Sequence, residues 1–119
     1  MKKFKVLLTG VTTMLVALGT AFTISAATKG ITATVTTSMA SATYTYGKPC
    51  SSIKVIVYYK EKHNQTNHVY ESTFDNYAYG GYESISASKG VDTGYVYTEI
   101  KADGYCNGEF DITTGTVEP

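Results

Sequence analysis

The sequence predicts an all-β protein, a small antiparallel β-sandwich of about seven strands. Three observations predict it. Beyond residue 27, threonine, tyrosine, valine, isoleucine and serine dominate, and these residues suit a pleated, half-buried surface. Apolar and polar residues alternate with period two over short runs. Glycine or Asp/Asn clusters punctuate the runs every ten residues or so, and no helical period appears between them.

The domain organisation comes from the N-terminus. "MKKFK" places three lysines at the front, a long uncharged apolar run follows, and "SAA" ends it with small residues before a cleavage point after Ala27. This is the layout of a secretory signal peptide, with a retained membrane anchor as the competing reading. Residues 1–27 are read as the signal peptide and 28–119 as one domain, secreted and extracellular, with no membrane span after cleavage. The mature part keeps seven lysines against ten acids and has no arginine, a net charge of −3. A nucleic-acid partner needs a basic stripe, which is missing.

The elements follow in order. The first strand, about 30–38, alternates Ile31, Ala33 and Val35 with threonines. The second, about 40–46, alternates Ala42, Tyr44 and Tyr46 with Ser41, Thr43 and Thr45, so the apolar parity moves from odd to even near Met39-Ala40. A bulge or a change of sheet there would explain the move. The third, about 52–61, puts Ile53, Val55, Val57 and Tyr59 on one face and Lys54, Ile56, Tyr58 and Lys60 on the other; it is the most apolar and is placed centrally. The fourth, about 68–79, and fifth, about 82–89, flank Gly80-Gly81. A two-residue hairpin there pairs Tyr79 with Tyr82 and Phe74 with Ala87, gathering Phe74, Ala78, Ile85 and Ala87 on one face. Seven strands in two layers make an Ig-like or similar sandwich.

The last two strands carry two turn signals, Asp103-Gly104 and Asn107-Gly108. Val96, Ile100, Cys106, Phe110 and Ile112 must share a face, because a one-residue slip exposes the apolar set. A two-residue turn at 107–108 pairs Cys106 with Glu109 and crosses the faces. A three-residue turn over Ala102-Asp103-Gly104 pairs Ile100 with Cys106 and Val96 with Phe110, so the sequence favours it. Cys106 then points inward at one end of the domain, and Cys50 lies in a loop that reaches the same end. An oxidising compartment permits a Cys50–Cys106 disulfide, which a small core needs.

Function is less legible. All eleven tyrosines are in the mature part, and there is no tryptophan. Tyr95, Tyr97 and Tyr105 are expected on the outer face of the last hairpin, and Tyr77, Tyr79 and Tyr82 on that of the Gly-Gly hairpin. Such aromatic strips can stack on a glycan or hold a protein partner. His63 and His68 flank the "NQTN" loop without a third metal ligand at motif spacing. Asp92, Glu99, Asp103, Glu109 and Asp111 cluster toward the C-terminus, with Glu99, Glu109 and Asp111 on one outer face, but without EF-hand spacing for calcium. No metal, no cofactor and no catalytic constellation is expected. The expectation is a secreted protein acting by non-catalytic binding of an extracellular glycan, cell-wall or protein partner. The short exported plan, rich in Ser, Thr and Tyr, also resembles the small β-sandwich bacteriocins of the lactococcin 972 type. That resemblance rests on composition and the exported plan and implies a toxin as the alternative. A structural surface-layer component is a third reading.

Overall fold

Alternation of apolar and polar residues produces strands, and their length is what the structure adds. The computed structural model describes residues 29–119, and the proposed signal peptide, residues 1–27, lies outside the described residues. Five strands follow one another: β1 (Gly30–Val35), β2 (Met39–His63), β3 (Val69–Gly90), β4 (Tyr95–Cys106) and β5 (Glu109–Val117). All pair antiparallel in a single sheet that curls into a half-barrel, and no helix occurs among the described residues. β3 follows one edge of β2 along nearly its whole length, while β1 and then β4 share the other edge. β5 adds outside β4.

Five long strands thus replace the seven short ones of a sandwich. The predicted second and third strands are one, β2, and the predicted fourth and fifth are one, β3. Both bend at the same level. The ladder shifts register between Thr45 and Cys50 of β2 and again between Cys50 and Ser52. Gly47 on β2 and Gly80 and Gly81 on β3 take positive φ there, 88°, 114° and 86°. Such paired irregularities bend strands around a corner. The Gly-Gly pair is therefore a bend and not a hairpin tip. Phe74 pairs with Val57 and Ala87 with Ala42, not with each other. β2 gives each part of β3 an apolar partner in turn, Val57 for Phe74 and Ala42 for Ala87.

The corner lays the first half of the sheet over the second. Tyr44, Ala42 and Ala40 of β2 meet Ile53, Val55 and Val57 of the same strand and Ile100 and Ala102 of β4 in one buried cluster. The shortest molecular dimension, 20 Å, fits two sheet layers about 10 Å apart. The early parity change has a simpler origin than a bulge. The chain reverses between Val35 and Ala40, and Thr36 Oγ1 accepts from Met39 N at 3.0 Å and Ser38 N at 3.2 Å.

The last reversal also differs from expectation. It falls at Asn107-Gly108, with φ of 56° and 80°, and Cys106 pairs with Glu109. Positive φ at both central residues is the signature of a type I′ hairpin turn. The face conflict that argued against this turn is resolved by a bulge. Tyr105 pairs with Phe110 but Gly104 pairs with Ile112, so Asp111 is skipped. Phe110 turns outward and is 56% exposed, while Ile112 packs against the core. Ala102, Asp103 and Gly104 lie buried in mid-strand opposite Val57, Ile56 and Val55. Gly104 is needed for space and not for turning, since a Cβ there would overlap the ring of Tyr44.

Cys106 still faces inward and is bonded to Cys50 across a Cα–Cα distance of 5.6 Å, at a sequence separation of 56. Loop-closure entropy alone assigns such a bridge about 4 kcal/mol. Asn107 ties the same end a second time. Its side-chain oxygen accepts from Ser51 N and Ser51 Oγ, both at 2.8 Å, and its N–H donates to Ser52 O at 2.8 Å.

Candidate functional site: an aromatic outer face

The outer face of the β3-β2-β4-β5 half is built from residues whose neighbours point into the core. On β2 these are Ser52, Lys54, Ile56, Tyr58 and Lys60. Cross-strand pairing turns them into rows. Tyr79 stands beside Ser52, and Tyr77, Lys54, Tyr105 and Phe110 form the next row. Asp75, Ile56, Asp103 and Thr113 follow, then Thr73, Tyr58, Lys101 and Thr116, then Glu71, Lys60 and Glu99. The face is aromatic at the disulfide end and charged at the other.

A groove of about 450 Å³ opens at the aromatic end, with Asp75, Tyr77 and Tyr79 of β3 on one wall, Tyr105 of β4 on the other, and Lys54 and Ile56 of β2 between them. Tyr77 is 59% exposed and Tyr79 70%. They meet edge to face at 5.9 Å between ring centres, and Tyr105 meets Phe110 in the same manner at 5.9 Å. Edge-to-face pairs hold rings in place, so each tyrosine is braced while one side stays free. Burial, with Tyr58 and Asp103 nearby, pushes the Tyr105 hydroxyl above its ordinary range, so it is a neutral donor at physiological pH. Asp103 is 8% exposed and its Oδ1 has no hydrogen-bond partner, an uncommon state for a buried carboxylate.

The neighbouring trough, about 440 Å³, is lined by Tyr58, Lys60, Glu71 and Glu99. Lys60 lies 3.8 Å from Glu71 and 3.7 Å from Glu99, and Lys101 stands 5.0 Å over the ring of Tyr58. These solvent-accessible ion pairs stabilise little, at most about 1 kcal/mol each.

The six tyrosines singled out by sequence divide three ways. Tyr77, Tyr79 and Tyr105 come together around the groove, brought there by β2 between them and not by two separate hairpins. Tyr82 is exposed but lies beyond the bend, opposite Cys50. Tyr95 and Tyr97 belong to the inner side. The β2–β4 ladder slips by one residue between Lys60 and Glu61, which reverses the facing of everything before Glu99 on β4. Tyr97 is 1% exposed, donates to Lys89 O at 2.9 Å and packs edge-on against Tyr59. Tyr95 packs between His63 and Tyr70.

The acidic residues disperse. Asp111, expected on the outer face, sits at the β5 bulge, where it accepts from Tyr44 OH at 2.8 Å and pairs with Lys29 at 2.7 Å. No group of three His, Cys, Asp or Glu among the described residues could hold a metal ion. His63 Nδ1 accepts from the Gln65 and Thr66 N–H groups at 3.2 Å and so caps its own loop. Lys54, Asp75 and Asp103 were not expected at the site. Lys54 was visible as the polar partner of Ile56 on the alternating third strand, whereas Asp75 and Asp103 needed the register.

No protein family, no curated protein and no solved structure matches the chain. The geometry of this face therefore carries the functional reading by itself.

Proposed function

We propose that this is a secreted protein that works outside the cell by non-catalytic binding, through the groove between Tyr77, Tyr79 and Tyr105. The observation that carries the reading is the convergence of three braced tyrosines on one groove, Tyr77 and Tyr79 exposed and Tyr105 half-buried, with Lys54 between them and Asp75 alongside. Rigid aromatic faces give contact area at low entropic cost, and a few polar groups fix orientation. A glycan chain or a cell-wall polymer suits this combination, and so does an extended protein segment. The disulfide is compatible with an oxidising, extracellular setting.

The test is an equilibrium binding screen against glycans and cell-wall fractions, repeated with a Tyr77→Ala/Tyr79→Ala/Tyr105→Ala protein. Loss of binding in the triple variant supports the groove, and unchanged affinity removes it. A clearing zone on a lawn of related bacteria would favour the toxin alternative. One feature favours the surface-layer reading. β3 is an edge strand over 22 residues, paired only with β2, and such edges template assembly. Concentration-dependent growth in light scattering would support that reading over soluble binding.

A further inference from the structure

A second aromatic group lies on the inner side, at the end of the half-barrel remote from the disulfide. Along β2 the inward positions there are Tyr59, Glu61 and His63. Glu61 pairs directly with Tyr70 of β3 and Tyr97 of β4, and His63 pairs with Tyr95. Direct cross-strand partners share a face, so these rings surround Glu61. His68 stacks on Tyr70 at 4.7 Å with 25° between planes. Tyr70 meets Tyr95 at 5.7 Å and 71°, and Tyr95 meets His63 at 5.0 Å and 84°. Tyr70 is 48% exposed, so the rim is open to solvent on its side.

Behind the rim Glu61 is 5% exposed, and its Oε1 has no hydrogen-bond partner. Asp92 contacts the Glu61 carboxyl and also binds Lys89 Nζ at 3.1 Å. Two carboxyl groups thus face one ammonium, and a buried acceptor is left over. Leaving such a group unpaired is unfavourable, and a cation is the partner that relieves it. The choice of cation follows from the walls. A hard metal ion must exchange its water for several oxygen ligands, which are not gathered among the described residues. A quaternary ammonium is weakly hydrated, and the faces of tyrosine rings attract it directly.

We propose that the Tyr70–Tyr95–His63–His68 rim above Glu61 binds a quaternary ammonium group of the trimethylammonium type. The ring faces supply the contact, and Glu61 with Asp92 supplies the compensating charge. This site is separate from the outer groove and does not depend on it. The group could arrive on a small solute or on a lipid headgroup, and both sources are tested.

The experiment is an NMR titration of the purified protein with choline and with its neutral isostere, in which carbon replaces the ammonium nitrogen. Choline is expected to shift the Tyr70 and Tyr95 resonances and to bind roughly tenfold tighter than the isostere. Glu61→Gln is expected to remove that preference. Tyr70→Ala, an exposed change that leaves the core intact, is expected to weaken choline binding by roughly tenfold. Phosphatidylcholine vesicles distinguish the lipid source: co-sedimentation competed by free choline assigns the headgroup, and its absence alongside choline binding assigns the solute. Equal affinity for choline and the isostere, or shifts confined to Tyr77 and Tyr105, overturns the proposal.

Discussion

Gly104→Ala tests both the fold and the position of the last turn. Gly104 has no positive φ, so alanine meets no backbone penalty there. The obstacle is Tyr44, whose ring carbons occupy the place where a Cβ would stand. Tyr44 cannot step aside readily, because it is 0% exposed and its hydroxyl is held by Asp111 at 2.8 Å. One added carbon must then move either the ring or β4, an overpacking cost of about 1–3 kcal/mol or more. For a domain of this size that lowers the thermal midpoint by roughly 4–8 °C per kcal/mol. Two glycines serve as controls. Gly30→Ala meets nothing within 4 Å and has no positive φ, so it should be neutral. Gly108→Ala also meets nothing within 4 Å but carries φ of +80°, so it should show only the left-handed penalty of roughly 1–2 kcal/mol. The assay is urea denaturation followed by tyrosine fluorescence. A Tyr44→Ala/Gly104→Ala protein should be less destabilised than the sum of its single changes, since removing the ring removes the clash. A Gly104→Ala protein as stable as Gly30→Ala would refute the reasoning, and with it the packing of the two sheet halves.

Three further outcomes are expected. Cys50→Ser/Cys106→Ser should lower stability by about 4 kcal/mol, read as the loss of denaturation midpoint against the oxidised protein. Asn107→Ala should cost about 1–2 kcal/mol through its left-handed φ and its two bonds to Ser51, and Asn107→Gly should recover part of it; denaturation midpoints of the two variants check this. Burial, followed by the contact with Asp92, raises the Glu61 carboxyl above its ordinary value near 4.5. The folded state then holds the proton more tightly than the unfolded one, so Glu61 lowers stability as pH rises above about 4.5. Glu61→Gln should therefore stabilise the protein at pH 7 relative to wild type, with the gain fading in the acid range; unfolding curves across pH decide it.

What was legible in the sequence was the alternation. The inward sets Ile31–Ala33–Val35, Ala42–Tyr44 and Ile53–Val55–Val57–Tyr59 all face the core. So was the choice of Cys50 and Cys106 as partners. Continuity and register were not. Gly80-Gly81 and Asp103-Gly104 read as turns because glycine at a reversal and glycine at a bend or a close contact look alike in one dimension. Only the ring of Tyr44, sixty residues earlier, reveals why position 104 lacks a side chain. The bulges had a larger effect. A single slip between Lys60 and Glu61 moved Tyr95 and Tyr97 to the inner side, and one at Asp111 made the second turn possible. Nothing in local composition marks either slip, because each depends on the register taken with a partner strand distant in sequence.

The groove and the covalent tie occupy the same end of the molecule, and this bears on how binding could work. The disulfide, the Asn107 bonds to Ser51 and the paired bends at Gly47 and Gly80-Gly81 all converge within a few residues of Ser52, Tyr79 and Tyr105. A surface that is ordered before its ligand arrives loses less entropy on binding. Tyrosine has few rotatable bonds, and the edge-to-face pairs Tyr77–Tyr79 and Tyr105–Phe110 restrict them further. The charged end of the same face is held by the Lys60 ion pairs and the Lys101–Tyr58 contact, with no covalent tie. If the aromatic end is the binding end, reducing the disulfide in a protein that remains folded should weaken ligand binding more than removing the Lys60 ion pairs does. The same staple that compensates for a small core would then also set the tyrosines in advance.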